Sequence, residues 1–166
     1  MIQLVILIAI NGAAWFIIHF GVSVGLLKVS NSTFKNHPFL KKMFISYEWE
    51  NEGEFWERKT GVKEWKDRLP DGASLFGLGY KKKHLAAKSQ VNYPKFILET
   101  KRAELTHWMI LIPVPLFFLW NPLWAAWLNV LYAVIINVPF IIIQRYNRPR
   151  LERIQKIREH KKITKK

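Results

Sequence analysis

Apolar residues in this chain come as two uninterrupted blocks rather than as stripes against a polar face. Met1–Leu27 contains no Asp, Glu, Lys or Arg, and neither do the forty residues Leu105–Gln144. A bilayer core of roughly 30 Å is crossed by about 20 helical residues rising about 1.5 Å each. The first block therefore predicts one span over residues 3–27, and the second is long enough for two, over 105–120 and 123–144. The natural break is Asn121-Pro122, where a helix should end and turn. Trp120, Trp124 and Trp127 cluster at that turn, with Trp108 and Tyr146 near the other ends, as in interfacial aromatic belts. The pattern predicts an all-α integral membrane protein with about three transmembrane helices and a helical, membrane-surface cytoplasmic segment. It divides the chain into a first transmembrane helix (1–27), cytoplasmic amphipathic helices and turns (28–104), a transmembrane hairpin (105–144) and a basic tail (145–166).

Some residues in the spans suit protein better than lipid. Gly21 and Gly25 make a small-xxx-small surface that lets another helix approach closely. Asn11 and His19 share a face of the first helix, as Asn129, Tyr132 and Asn137 do on the third. Buried amides in membrane bundles chiefly act as hydrogen-bonded glue, so Asn129 and Asn137 are expected to be structural. Pro113, Pro115 and Pro139 are expected to bend the second and third helices.

Between the blocks, Glu54-Phe55-Trp56, Val62 and Trp65 spread aromatics among charges, which suits short helices lying on headgroups. Leu69-Pro70-Asp71-Gly72 predicts a type I turn, and Lys81-Lys82-Lys83 a basic cluster facing an anionic leaflet. Asn92-Tyr93-Pro94 reads as a helix start, so one helix should run from about Pro94 through Glu104 into the second span. After the third span, Leu151, Ile154 and Ile157 line one side of a basic tail helix.

Charge then sets orientation. The chain carries 26 Lys+Arg against 12 Asp+Glu, a formal +14, which by itself suggests a polyanion partner. Its distribution points elsewhere: 16 and 10 basic residues against 10 and 2 acids give +6 in 28–104 and +8 in the tail. The turn near Asn121 has none, so the positive-inside rule places both charged segments in the cytoplasm and the N-terminus and the short turn outside. No nucleic acid is implied; membrane lipids are the expected contact. Residues 1–27 lack the basic start, short apolar run and small-x-small site of a cleaved leader, and are expected to persist as a span. With no Cys, disulfides, thiolate metal sites and cysteine acyl-enzymes are excluded.

Candidate chemistry is concentrated in Glu99-Thr-Lys-Arg-Ala-Glu-Leu-Thr-His-Trp108. Glu104 and His107 are i and i+3 neighbours on a helix, so a carboxylate can support an imidazole acting as general base. A helix-end ion pair near the headgroups explains the same two residues. A Glu-x-x-His pair can also ligate a metal, but such bundles need the motif twice and it occurs here once. The second constellation is Gln144-Arg-Tyr-Asn-Arg-Pro-Arg150 at the same predicted face. Its guanidinium groups suit phosphate oxygens; anchoring at the end of a span explains the charge, but less well why the basic residues are all Arg, interleaved with Tyr and Asn.

At these residues the chain resembles the bacterial glycosyl-4,4'-diaponeurosporenoate acyltransferases of staphyloxanthin-type carotenoid synthesis. The resemblance rests on Glu99–Trp108, Asn137-Val-Pro139 and Gln144–Leu151, with a looser match around Phe55-Trp56, Val62–Lys66 and Asp71-Gly72. It implies a membrane enzyme that esterifies a fatty acyl chain onto a sugar hydroxyl of a glycosylated carotenoid, with no cofactor beyond an acyl donor such as acyl-CoA or acyl carrier protein. His107 would then take the hydroxyl proton while Glu104 orients the imidazole. Lys101, Arg102, Arg145, Asn147 and Arg148 would hold the donor's phosphates or stabilise the oxyanion. A Gly-x-Ser-x-Gly elbow and a His-x-x-x-x-Asp pair are both missing, so direct transfer is expected. Another glycolipid acceptor, or a non-catalytic scaffold that docks other enzymes of the same pathway, is the alternative.

Overall fold

The computed structural model describes residues 2–69 and 92–164, and every regular element among them is helical. The turn predicted at Pro70-Asp71-Gly72 and the Lys81–Lys83 cluster lie outside the described residues. Helix α1 is Ile2–Lys28, followed by α2 (Asn31–Asn36) and α3 (Pro38–Met43). A 3₁₀ turn over Glu48–Gly53 leads into α4 (Glu54–Thr60) and α5 (Val62–Trp65). Helix α6 covers Tyr93–Leu111, and α7 runs unbroken from Leu123 to Ile163. Three stretches, Ile2–Lys28, Tyr93–Leu119 and Leu123–Lys161, are long and apolar enough to cross a bilayer, which makes this a membrane protein.

Local sequence explains most of these boundaries. Asn92 caps α6 by accepting from the Lys95 N–H at 3.1 Å, with Pro94 in the first turn where its missing N–H costs nothing. Ser30 caps α2 through the Thr33 N–H at 3.2 Å. Gly61, at φ +59°, closes α4 in the left-handed conformation that glycine adopts without a Cβ penalty. Gly53, at φ +92°, has a second reason to be glycine: a Cβ there would sit 2.7 Å from the Tyr146 carbonyl oxygen.

Two expectations about the spans need correction. The second span is not α-helical to its end; α6 stops at Leu111 and a 3₁₀ helix over Val114–Leu119 completes the stretch. Pro113 and Pro115 remove two backbone donors on either side of Val114 and crowd the preceding turn, so the tighter helix, rising about 2 Å per residue, takes over. No separate tail helix exists either, because α7 continues through Pro139 and Pro149. The apolar-to-basic change there alters the solvent, not the backbone, and α7 has no glycine to stop it.

The chain divides into two compact units. One comprises Met1–Met43 with Arg102–Ile141, the other Phe44–Lys101 with Ile142–Lys166. The first has a core of Trp15, Ile110, Val114, Phe117 and Ala133. Trp15 stacks on Phe117 at 4.7 Å between centroids and donates its Nε1–H to Asn129 Oδ1 at 2.7 Å. Asn129 in turn donates to the Ala125 carbonyl at 2.9 Å, which fixes its amide orientation. Asn11 pairs with Asn121 at 2.7 Å and accepts from Trp120 at 2.9 Å, tying α1 to the turn. His19, on the same face of α1 as Asn11, sets its ring against Trp15 and Tyr132, with centroids 5.6 and 6.4 Å away, and Asn129 bonds both across to α1 and within its own helix. Gly21 and Gly25 differ: among the described residues nothing lies within 4 Å of where a Cβ would be.

In the second unit, Val62 packs on Ile143 and Tyr146, while Phe96 and Ile97 pack on Leu151. Glu50 is buried in the same unit, accepting from the Tyr47 N–H at 2.9 Å and Trp56 Nε1–H at 2.8 Å.

The Trp15–Asn129 bond should be measurable. Trp15→Phe and Asn129→Leu are each expected to lower unfolding stability in detergent, and the double variant no further than one of them. A coupling of about 0.6–2 kcal/mol is expected, as for other interhelical side-chain bonds in membranes. Additive losses in the thermal unfolding curves would show that the two side chains do not act together.

Candidate functional site

Helix α6 presents Glu104 and His107 one turn apart, and α7 presents Asn137 and Phe140 opposite them within the first unit. His107 Nδ1 lies 2.9 Å from Asn137 Oδ1. The imidazole stacks on Phe140, with centroids 4.7 Å apart and planes inclined by 7°. Asn137 has no exposed surface, and its Nδ2 donates to the Ala133 carbonyl at 2.9 Å. Glu104 is likewise fully buried and accepts from Trp108 Nε1–H at 3.3 Å. A half-buried imidazole held on two sides, beside a buried carboxylate, is an arrangement that can move a proton. Asn137 thus bonds across to His107 as well as within its own helix. Sequence reasoning missed that contact because an amide far along the chain from a charge cluster looks like any other buried amide; its place in Asn137-Val-Pro139 was the available signal.

Arg102 belongs to the same unit but does different work. Its Nη1 donates to the carbonyls of Leu26 and Val29, the latter at 2.9 Å, and Nη2 donates to Asn31 Oδ1 at 2.9 Å. Its guanidinium lies 4.9 Å from the Phe34 ring centroid. These carbonyls close the C-terminal end of α1, where the helix dipole is negative and unpaired acceptors need donors. Expected to bind substrate, Arg102 is placed by these contacts against the end of α1 and the start of α2.

The other predicted binding residues lie in the second unit. Arg148 is buried with its guanidinium 5.3 Å from the Phe44 ring centroid. Arg145 donates to the Ile45 carbonyl at 3.2 Å and forms a 3.6 Å ion pair with Glu50, whose burial no pattern in the sequence signals. Lys101 and Asn147 are both half-buried. An open cleft of about 440 Å³ in this unit is lined by Ser46, Tyr47, Glu52, Glu152 and Arg153, and none of the predicted site residues lines it. No group of three or more potential metal ligands occurs among the described residues.

Known proteins supply an independent comparison. The sequence model of the glycosyl-4,4'-diaponeurosporenoate acyltransferases matches residues 40–157. A glycosyl-4,4'-diaponeurosporenoate acyltransferase of Staphylococcus aureus strain bovine RF122 / ET3-1 is 36% identical over 143 residues, covering 86% of this chain and 84% of the relative. The protein of the same name from strain Newman is 35% identical over 147 residues, covering 89% and 87%. No solved structure matches the chain significantly.

The two roles assigned to arginine can be separated. Arg102→Met removes charge-assisted bonds to α1, each worth about 1.5–3 kcal/mol, and is expected to lower thermal stability and the amount of protein inserted. A residue that only bound substrate would instead raise KM and leave the melting curve unchanged.

Proposed function

The chain belongs to the glycosyl-4,4'-diaponeurosporenoate acyltransferase family, and from that premise we propose how it esterifies a fatty acyl chain onto a sugar hydroxyl of a glycosylated carotenoid. The observation that carries the mechanism is the His107–Asn137 pair beside buried Glu104, all within the first unit. His107 takes the proton of the sugar hydroxyl as its oxygen attacks the acyl carbonyl. The imidazolium then returns that proton to the leaving group, a thiolate if the donor is a thioester. Glu104, one turn away on α6, favours the positive charge that develops on the ring. No residue is acylated on this route, in keeping with the absence of Cys.

Both substrates are amphiphiles, and the site residues sit where the charged part of α6 gives way to its apolar part. We read the N-terminus as outside and the C-terminus as cytoplasmic in a bacterial cell membrane, so that the donor arrives from the cytoplasm. We take a phosphate-bearing donor such as acyl-CoA or acyl carrier protein as the source of the acyl group, with no cofactor besides it. Association with other enzymes of the pathway would suit a membrane-bound substrate.

Lipid mass spectrometry of cells tests this reading. Cells producing glycosylated 4,4'-diaponeurosporenoate and this chain are expected to form the acyl ester. With His107→Ala, present at normal membrane levels, the ester should fall by about 10²–10⁴-fold, the usual contribution of a general base, while the unacylated glycoside accumulates. Undiminished ester would remove His107 from the mechanism, and an ester on a different glycolipid would redirect the acceptor.

A further inference from the structure

Which ring nitrogen of His107 carries the proton decides whether the imidazole can act as the base at all. A neutral imidazole has one donor and one acceptor nitrogen, and the tautomer is fixed by the partner of each. His107 Nδ1 is 2.9 Å from Asn137 Oδ1. That contact alone leaves the matter open, because a side-chain amide can be turned to present either oxygen or nitrogen.

The Ala133 carbonyl closes it. Asn137 Nδ2 is 2.9 Å from the Ala133 oxygen, an acceptor that cannot donate. Turning the amide over would set Oδ1 against that carbonyl, two acceptors at hydrogen-bond distance in a site with no exposed surface. Such an uncompensated buried contact would cost enough to hold the amide almost entirely in one orientation. Oδ1 therefore faces the imidazole, and only an Nδ1–H can satisfy it.

We infer that Asn137 is a positioning residue that locks His107 in the Nδ1–H tautomer, leaving Nε2 as the nitrogen that receives the sugar hydroxyl proton. The inference rests on His107 being the base and adds which atom acts and what makes it act. The chain of bonds runs from the Ala133 carbonyl to Asn137 Nδ2–H, and from Nδ1–H of His107 to Asn137 Oδ1. Phe140, stacked on the ring with planes inclined by 7°, resists the rotation that would break it. Unlike a carboxylate, the amide holds the tautomer without adding a charge to the membrane interior. It remains an acceptor for Nδ1–H after the ring is protonated, so one geometry serves both halves of the transfer.

Nitrogen-15 NMR of the histidine-labelled full chain in lipid nanodiscs reads the tautomer directly, with His107→Ala identifying the His107 signals. The expected result is a protonated Nδ1 and an unprotonated Nε2 in the neutral ring; the opposite tautomer would overturn the inference whatever the activity. Asn137→Leu keeps the volume and leaves the Ala133 carbonyl in its helical bond, but removes the acceptor. It is expected to mix the tautomers and to lower kcat by about 10²-fold with KM little changed. Asn137→Asp can replace the amide only as the protonated acid, whose O–H takes the place of Nδ2–H toward the Ala133 carbonyl while the other oxygen faces His107; in that form it should recover the Nδ1–H tautomer and part of the rate. A leucine variant that keeps the tautomer and kcat, and loses only stability, would reduce Asn137 to packing. Should His107→Ala stay active, the base assignment fails, and the tautomer seen by NMR still decides separately what Asn137 does.

Discussion

An amide side chain within a bilayer has no water to fall back on. Each N–H and C=O that the sequence places within the apolar blocks must find its partner in the chain, or leave a polar group bare in hydrocarbon. That demand organises the first unit. Asn129 turns one end to the Ala125 carbonyl and the other to Trp15; Asn137 does the same with Ala133 and His107. In both cases a carbonyl four residues back in α7 fixes the amide, and the oxygen is aimed at α1 or α6. The same device therefore builds a helix contact at one level and orients an imidazole at another. Apolar burial matters less than it would in water, since lipid covers the uncovered side chains of α1 as well as protein would.

The same demand clarifies what the arginines do. An α1 that ends in protein must have its last carbonyls met, and Arg102 meets them with a charge that suits the negative end of the helix. Arg145 compensates Glu50, which also accepts from two neutral donors. Basic residues that composition alone would assign to phosphate are thus partly committed to folding, and the excess of +14 overstates the charge available to substrate.

The fold was legible wherever one residue type acts alone. Solid apolar blocks fixed the number of spans, Asn121-Pro122 the turn, and Asn92-Tyr93-Pro94 the start of α6. The 3₁₀ ending after Leu111 was legible only as a disturbance, because proline forbids the α-helix without saying what replaces it. Roles that need two distant residues stayed hidden. His107 and Glu104 could be paired by spacing along one helix, yet Asn137, which meets Nδ1, comes from thirty residues away, and no periodicity carries that information. Arg102 and Glu50 were obscure for the same cause: their partners, Leu26, Val29 and Trp56, say nothing in sequence about a charge to come.

On the proposed mechanism this one chain, unaided, transfers an acyl group directly with His107 as base. Purified protein in lipid nanodiscs, given acyl-CoA and a glycosylated 4,4'-diaponeurosporenoate, tests it by the rate of ester formation. Turnover by the unaltered chain and its loss in His107→Gln is the expected result, with no acylated protein in the intact mass. Equal turnover by the variant, or an acyl group covalently held by the chain, would contradict it.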